Sequence, residues 1–221
     1  MRRLTIILAM LLALSITAPA GRALAFEDSV PRSYTEAMDW YRAGAEEGDP
    51  KAAFYLGLAF QEGAQGMRDL GAARAWFKRA AEAGHALAGY KQATMLQTGR
   101  GGPEDLAEAR RLYALAAEQG VVEAQYNFAV MLQDGSGGPV DLAQARNLFE
   151  SAARGGIDIS FLHLAVLNTR GEDADFIEAL KWTILANAAN VDGALDYIKA
   201  LKPLLSAVQE EQAKTASRNW K

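Results

Sequence analysis

The chain has 221 residues, half of them apolar, which excludes a disordered polymer and allows a sizeable core. With 23 Lys and Arg against 27 Asp and Glu it lacks the basic excess of a general nucleic-acid binder. It has no cysteine, which excludes disulfides, thiolate metal sites and a lipid attached at cysteine. Abundant alanine and only six prolines favour helix over strand.

The first element, residues 1–25, reads as a secretory signal. Arg2 and Arg3 precede a 13-residue apolar run, Leu4 to Ile16, broken only by Thr5 and Ser15. Small residues follow at Ala18-Pro19-Ala20 and at Ala23-Leu24-Ala25. The run is short for a bilayer span and no stop-transfer pattern follows it. Cleavage is expected after Ala25, which leaves Phe26 first; an uncleaved membrane anchor is the other reading. Removal takes Arg2, Arg3 and Arg22 and leaves 20 basic residues against 27 acidic ones, a net charge of about −7. No basic patch for a membrane surface remains, so the exported chain is expected to have no stable membrane insertion.

From residue 33 onward the chain repeats. Gly48, Gly84, Gly120 and Gly156 stand 36 residues apart, as do Gly63, Gly99, Gly135 and Gly171. Ala37, Ala73, Ala109 and Ala145 keep the step, and Ala179 follows at 34 because one loop is two residues shorter. Asp69, Asp105, Asp141 and Asp175 obey the same rule. Several columns held in one register mark a stack of supersecondary units. Residues 33–49 read as an N-terminal half-repeat, and 50–85, 86–120, 121–156 and 157–190 as four repeats.

Each repeat reads as two helices. In the first, helix A is expected over 50–62 and helix B over 70–83, joined by Gly63-Ala64-Gln65-Gly66. Later joints are Gly99-Arg100-Gly101-Gly102-Pro103 and Gly135-Ser136-Gly137-Gly138-Pro139. Glycine permits left-handed backbone at a helix end and proline blocks continuation. The Asp column then caps helix B, with Glu108, Gln144 and Glu178 three residues on as in a capping box. Ser33 and Glu36 repeat the device; Asp69 has Ala72 there and keeps half of it. Along helix B run Trp40, Trp76, Leu112, Leu148 and Trp182, and beside them Tyr41, Phe77, Tyr113, Phe149 and Thr183. Small residues recur at Gly44, Ala80, Ala116, Ala152 and Ala186, and on helix A at Gly57, Ala93, Ala129 and Ala165. Large residues fill the space between helices and small ones let backbones approach. The fourth repeat departs, with Asn168 in an apolar column and Asn187 and Asn190 for Ala and Gly, so a looser or capping unit is expected there.

The run Ala124-Gln125-Tyr126-Asn127-Phe128-Ala129, then Asp134-Gly135, Asp141, Ala145, Phe149, Ala152-Ala153 and Gly156, resembles the Sel-one-like repeat. That family is a variant of the tetratricopeptide helical pair with a longer inner loop, and the resemblance spans Ser33 to Asn190. It implies an all-α, right-handed α/α solenoid of stacked antiparallel helix pairs.

After Asn190 the pattern stops. Residues 192–201 read as a helix, Lys202-Pro203 breaks it, and Ser206 with Gln209 starts a last polar helix ending near Trp220. Residues 191–221 are thus expected to cap the last apolar face.

Catalytic motifs fail. No Ser-x-x-Lys, Gly-x-Ser-x-Gly or His-Glu-x-x-His occurs, and the glycine runs follow helices rather than strands. Two histidines without cysteine offer no spaced metal cluster. His85 reads as a solvated turn residue, and His163 as a core or groove residue. No catalytic, cofactor or metal site is expected.

Two helix A columns remain: Phe54, Tyr90, Tyr126 and Leu162, and, seven residues on, Gln61, Gln97, Gln133 and Thr169. In solenoids of the tetratricopeptide kind helix A lines the concave side, so the resemblance implies an aromatic and amide ladder for a protein or peptide partner. The plainer reading puts the aromatics in the core and leaves the glutamines solvated. The resemblance further implies a non-catalytic scaffold in the cell envelope, an adaptor or a regulator of an envelope sensor or assembly, periplasmic or secreted. A secreted hydrolase acting on cell-wall or β-lactam substrates is the alternative.

The export reading predicts a periplasmic protein whose N-terminal sequencing starts at Phe26; intact Met1 in the cytoplasm would refute it.

Overall fold

The computed structural model describes residues 33–63, 68–172 and 174–220. The expected signal segment and its cleavage site, and most of the Gly63–Gly66 joint, lie outside them. The described residues hold eleven α-helices and no strand: α1 (Tyr34–Glu46), α2 (Pro50–Glu62), α3 (Leu70–Glu82), α4 (Ala86–Gln97), α5 (Leu106–Glu118), α6 (Val122–Asp134), α7 (Leu142–Arg154), α8 (Ser160–Asn168), α9 (Phe176–Ala188), α10 (Ala194–Leu201) and α11 (Ala207–Arg218). A 3-10 turn, Lys202–Leu204, precedes α11. The fold class is an all-α solenoid of antiparallel pairs, in which α2, α4, α6 and α8 are the A helices and α3, α5, α7 and α9 the B helices. The chain divides into two compact units: α1 to α3 with His85 form unit one, and α4 onward form unit two.

Each helix B starts and stops for a local reason. Asp69, Asp105, Asp141 and Asp175 accept from backbone N–H groups of the first turn, the bonds to Ala72, Glu108, Gln144 and Glu178 measuring 2.9–3.0 Å. This satisfies donors that the helix itself cannot. The complete reciprocal box forms at Ser206 and Gln209 on α11. At the other end Gly48, Gly84, Gly120 and Gly156 take φ of 94, 87, 85 and 92°. Each such glycine N–H and the next one fold back onto the last turn, as in Gly120 N to Ala117 O and Val121 N to Ala116 O, both 3.0 Å. This double closure needs a left-handed residue. Asn190, at φ 58°, supplies it in the fourth repeat, and Val191 N bonds Ala186 O at 2.9 Å. The helix B of that repeat is therefore closed like the others. Asn168 is likewise accommodated, since its Nδ2 donates to Leu164 O at 2.8 Å.

Packing follows the columns. Tyr41, Phe77, Tyr113, Phe149 and Thr183 are all buried. The neighbouring column is less uniform: Leu112 and Trp182 are buried, whereas Trp40, Trp76 and Leu148 are half-buried. The small residues are where backbones meet. A Cβ on Gly57 would lie 2.6 Å from the Phe77 ring.

In unit two, Arg110 and Arg146, 36 residues apart, add an interlock that their charge conceals in the sequence. Arg110 on α5 donates to Ser136 O at 3.3 Å and Pro139 O at 2.6 Å, holding the inner loop of the next repeat. That loop lies so close that a Cβ on Gly137 would meet Leu106 O at 2.2 Å. Arg146 reaches the next repeat differently, donating to the side-chain Oδ1 of Asn168 at the end of α8 at 2.7 Å. The fourth repeat has no following loop of this kind, and Leu180 stands where the arginine would be. Leu180 packs with Ala179, Leu201 and Ala213, so α10 and α11 both sit on α9.

Ala116, 1% exposed, tests the close approach of α5 to α6. Ala116→Leu is expected to cost about 1–3 kcal/mol through overpacking, read as a drop in urea midpoint that a surface Arg111→Leu change does not show.

Candidate functional site

In unit two the two candidate columns lie side by side on α4, α6 and α8. Tyr90, Tyr126 and Leu162 are half-buried, with one edge against the core and one toward solvent. Tyr90 packs 6.0 Å from the Tyr113 ring, and Tyr126 5.9 Å from Phe149. The amide column behaves differently from the expected solvated or ligand-facing ladder. Gln97 and Gln133 are half-buried and bonded inward. The Tyr113 hydroxyl donates to Gln97 Oε1 at 2.9 Å. In the next repeat Phe149 has no hydroxyl, and His163 takes over that task. Its ring stacks on Phe149 at 4.5 Å and its Nδ1 stands 3.2 Å from Gln133 Oε1. In the fourth repeat Thr169 donates to Val166 O and receives the Tyr197 hydroxyl of α10 at 3.0 Å.

The hydrogen-bond pattern fixes the His163 tautomer. Gln133 Nε2 donates to Asp134 Oδ1 at 3.1 Å, which turns Oε1 toward the imidazole. An amide oxygen only accepts, so Nδ1 carries the proton and Nε2 accepts from the Tyr126 hydroxyl at 3.2 Å. His163 thus ties Tyr126 and Gln133, two of the residues singled out in the sequence, into one cluster. Burial holds its pKa below the ordinary value, and Arg170 pushes the same way against Asp134. Burial also raises the Tyr113 and Tyr126 phenols, so both remain neutral donors at physiological pH.

In unit one the corresponding residues are less available. Phe54 is buried, 5.9 Å from Phe77 and stacked on His85 at 4.5 Å. It is a core residue there. Gln61 is half-buried and donates to Glu62 at 3.2 Å. His85 is half-buried rather than solvated, and burial lowers its pKa. Its exposed place in sequence, beside Gly84, concealed the stacking on Phe54, which depends on how the chain leaves α3. Among the described residues no group of three or more His, Asp and Glu is placed to hold a metal ion. None of the described helices is long and apolar enough to cross a membrane.

A family model for the Sel1 repeat matches residues 21–49, 50–85, 86–121, 122–157 and 163–191. The chain belongs to the Sel1 repeat family. Such Sel1 scaffolds generally mediate protein–protein interaction and are typically non-catalytic. The first match begins inside the expected signal segment. Among solved structures the chain is similar to a protective antigen of uropathogenic Escherichia coli strains displaying an SLR fold, at 24% identity and a TM-score of 0.71. The alignment covers 85% of this chain and 41% of that one. It is also similar to a Sel1 repeat protein from Oxalobacter formigenes, at 20% identity and a TM-score of 0.70, covering 85% of this chain and 80% of that one. These likenesses concern the fold alone. No curated protein matches the chain.

The His163 cluster makes the stability of this Sel1 protein depend on pH. A histidine with a lowered folded pKa binds fewer protons folded than unfolded, so its contribution is full above the unfolded value of about 6.5 and is lost as pH falls through the folded value. His163→Gln is expected to melt lower than the parent at pH 7.5, with the gap narrowing toward pH 5. A gap independent of pH would show that the folded and unfolded states bind the His163 proton equally, with no lowering of its pKa by burial.

Proposed function

We propose that this chain is a non-catalytic scaffold that holds a protein or peptide partner in the cell envelope, as an adaptor or as a regulator of an envelope sensor or assembly. One observation carries the reading: in unit two, Tyr90, Tyr126 and Leu162 present half-exposed apolar surface at 36-residue steps, on side chains that the core already fixes. The inward bonds of Gln97, Gln133 and Thr169 hold the neighbouring helix turns, so little side-chain freedom is lost on binding. Leu87 and Ile159, 45% and 39% exposed, extend the apolar surface at the first turns of α4 and α8. The export signal read in residues 1–25 supports the envelope as the compartment. The ladder in this form rests on tyrosines and leucine, with the glutamines as supports behind them.

A photo-crosslinking residue at Leu87, in cells exporting the full chain, is expected to trap a specific protein. The same residue at Arg111 on α5 should not, and Tyr90→Ala with Tyr126→Ala should abolish the adduct in protein that stays helical by circular dichroism, at a melting temperature lowered by the lost packing on Tyr113 and Phe149. Equal trapping from Leu87 and Arg111, or an adduct that survives the double change, would move the site off the helix A face. Hydrolysis of a chromogenic β-lactam by the purified chain, lost in no surface control, would favour the secreted hydrolase instead.

A further inference from the structure

One corner recurs within each unit, made by the last turn of one helix, the first turns of the helix A that follows, and the helix B after it. Within unit two this corner is filled in two ways. Between α5, α6 and α7 it holds Gln125, whose Nε2 donates back to Ala117 O at 3.4 Å. Between α7, α8 and α9 the place of Gln125 is taken by Phe161, and the aromatic side chain of Trp220 enters the corner. The Trp220 ring meets Trp182 edge-on at 4.7 Å and Phe161 at 6.4 Å. Arg154 lies over it at 4.4 Å and Lys181 at 5.6 Å.

The same corner in unit one, between α1, α2 and α3, is open. The repeat register puts Ala53 where Gln125 and Phe161 stand, and Trp76 where Trp182 stands. The small side chain leaves a cavity of about 270 Å³ bordered by Ala45, Gly48, Pro50, Ala53, Arg79 and Glu82. Arg79 donates to Glu46 O at 3.3 Å, and its guanidinium lies 5.4 Å from the Trp76 ring centroid. The corner therefore has small-residue walls, interrupted by Asp49, whose carboxylate accepts from Lys51 N at 2.8 Å, with a cation tethered at its edge and an indole behind that cation. Pockets for drug-sized ligands or cofactors start at about 300 Å³, so this volume suits one large side chain.

We propose that this corner of unit one is a seat for an aromatic side chain, a tryptophan before a phenylalanine, presented by a partner protein. The chain displays the occupant in its own equivalent corner, where a tryptophan is held by an edge-on indole and by cations over its face. In unit one the register puts Glu46 and Ala75 where Arg154 and Lys181 stand, and Arg79, one turn after Ala75 on α3, supplies the cation instead. Glu82 at the rim offers an acceptor for an indole N–H, which a phenyl ring lacks. A buried aromatic anchor in a preformed pocket is the arrangement that concentrates binding energy at protein interfaces. The inference rests on the protein-binding reading above but is independent of the helix A face, because it uses none of its side chains.

The test uses the mature full chain, labelled with nitrogen-15, titrated with N-acetyl-tryptophanamide. Saturable amide shifts confined to residues 45–53 and 79–83 are expected, with a Kd of the order of a millimolar for so small a probe. N-acetyl-phenylalaninamide should bind severalfold more weakly, and N-acetyl-leucinamide weaker still. Ala53→Gln, which installs the side chain that closes the corner in the third repeat, should abolish the shifts. Arg79→Ala, at an exposed position, should weaken binding severalfold whether or not Ala53→Gln folds. No saturable shift at these residues, an unchanged Kd in Arg79→Ala, or shifts retained in a folded Ala53→Gln would overturn the seat. Shifts on α4 and α6 instead would support the helix A face and reject this corner.

Discussion

The left-handed residue after each helix B sets the repeat. At Gly48, Gly84, Gly120, Gly156 and Asn190 the backbone turns at positive φ, and two N–H groups close on the carbonyls of the last turn. Within each unit the chain leaves the closed helix in the same direction, so the next helix begins at the same phase. Columns at 36-residue steps acquire meaning only because of that constancy. Any other residue would pay to enter this region, with asparagine the cheapest substitute. Asn190 shows that the constraint is on the dihedral and not on glycine as such.

Given a constant phase, each repeat of unit two presents the same positions to its neighbour in that unit, and the chemistry at those positions can change if its task is kept. The amide column demonstrates this. Gln97 takes its hydrogen bond from a tyrosine of its own repeat, Gln133 from a histidine of the following one, and Thr169 from a tyrosine in α10. A half-buried amide without a partner costs about 1–3 kcal/mol, so the loss of one hydroxyl at Phe149 must be answered elsewhere. The imidazole answers it by stacking on the ring that lacks the hydroxyl. The site face is thus held from behind by a polar layer whose donors vary while the acceptors keep their place.

The sequence made the helix ends and the periodic core legible, because both depend on nearest neighbours along the chain. Asp caps, glycine closures and the Tyr41/Phe77/Tyr113/Phe149 column could be read without any tertiary knowledge. What escaped were contacts between repeats. His85 beside Gly84 has the context of a solvated turn, yet it lies flat on Phe54. Gln97 and Gln133 share a helical face with the tyrosines, but that face is wide enough to hold both a rim and a buried edge. Arg110 and Arg146 carried a visible signal in their 36-residue step, and their charge disguised it as a solvated surface. An arginine on a helix face becomes structural when a following loop brings free carbonyls within reach, and only the glycine-rich joint allows that approach.

The end of the repeat array follows from the same interlock. An arginine placed to bind the next loop would be left without carbonyls at the last repeat, and its stem would face apolar neighbours. Leu180 removes that problem and creates another, since an apolar helix B face must be covered. The covering segment differs in kind from a repeat. α10 and α11 each pack directly on α9, α11 contributes small buried residues, Ala213 and Ser217, and Trp220, just past its end, is the large anchor of the segment. A small-residue helix lies close to α9 without needing a groove of its own, and the tryptophan reaches past it to the nearest preformed corner. The array is therefore closed by filling a space that every repeat makes, so termination needs no geometry beyond what the 36-residue period already supplies.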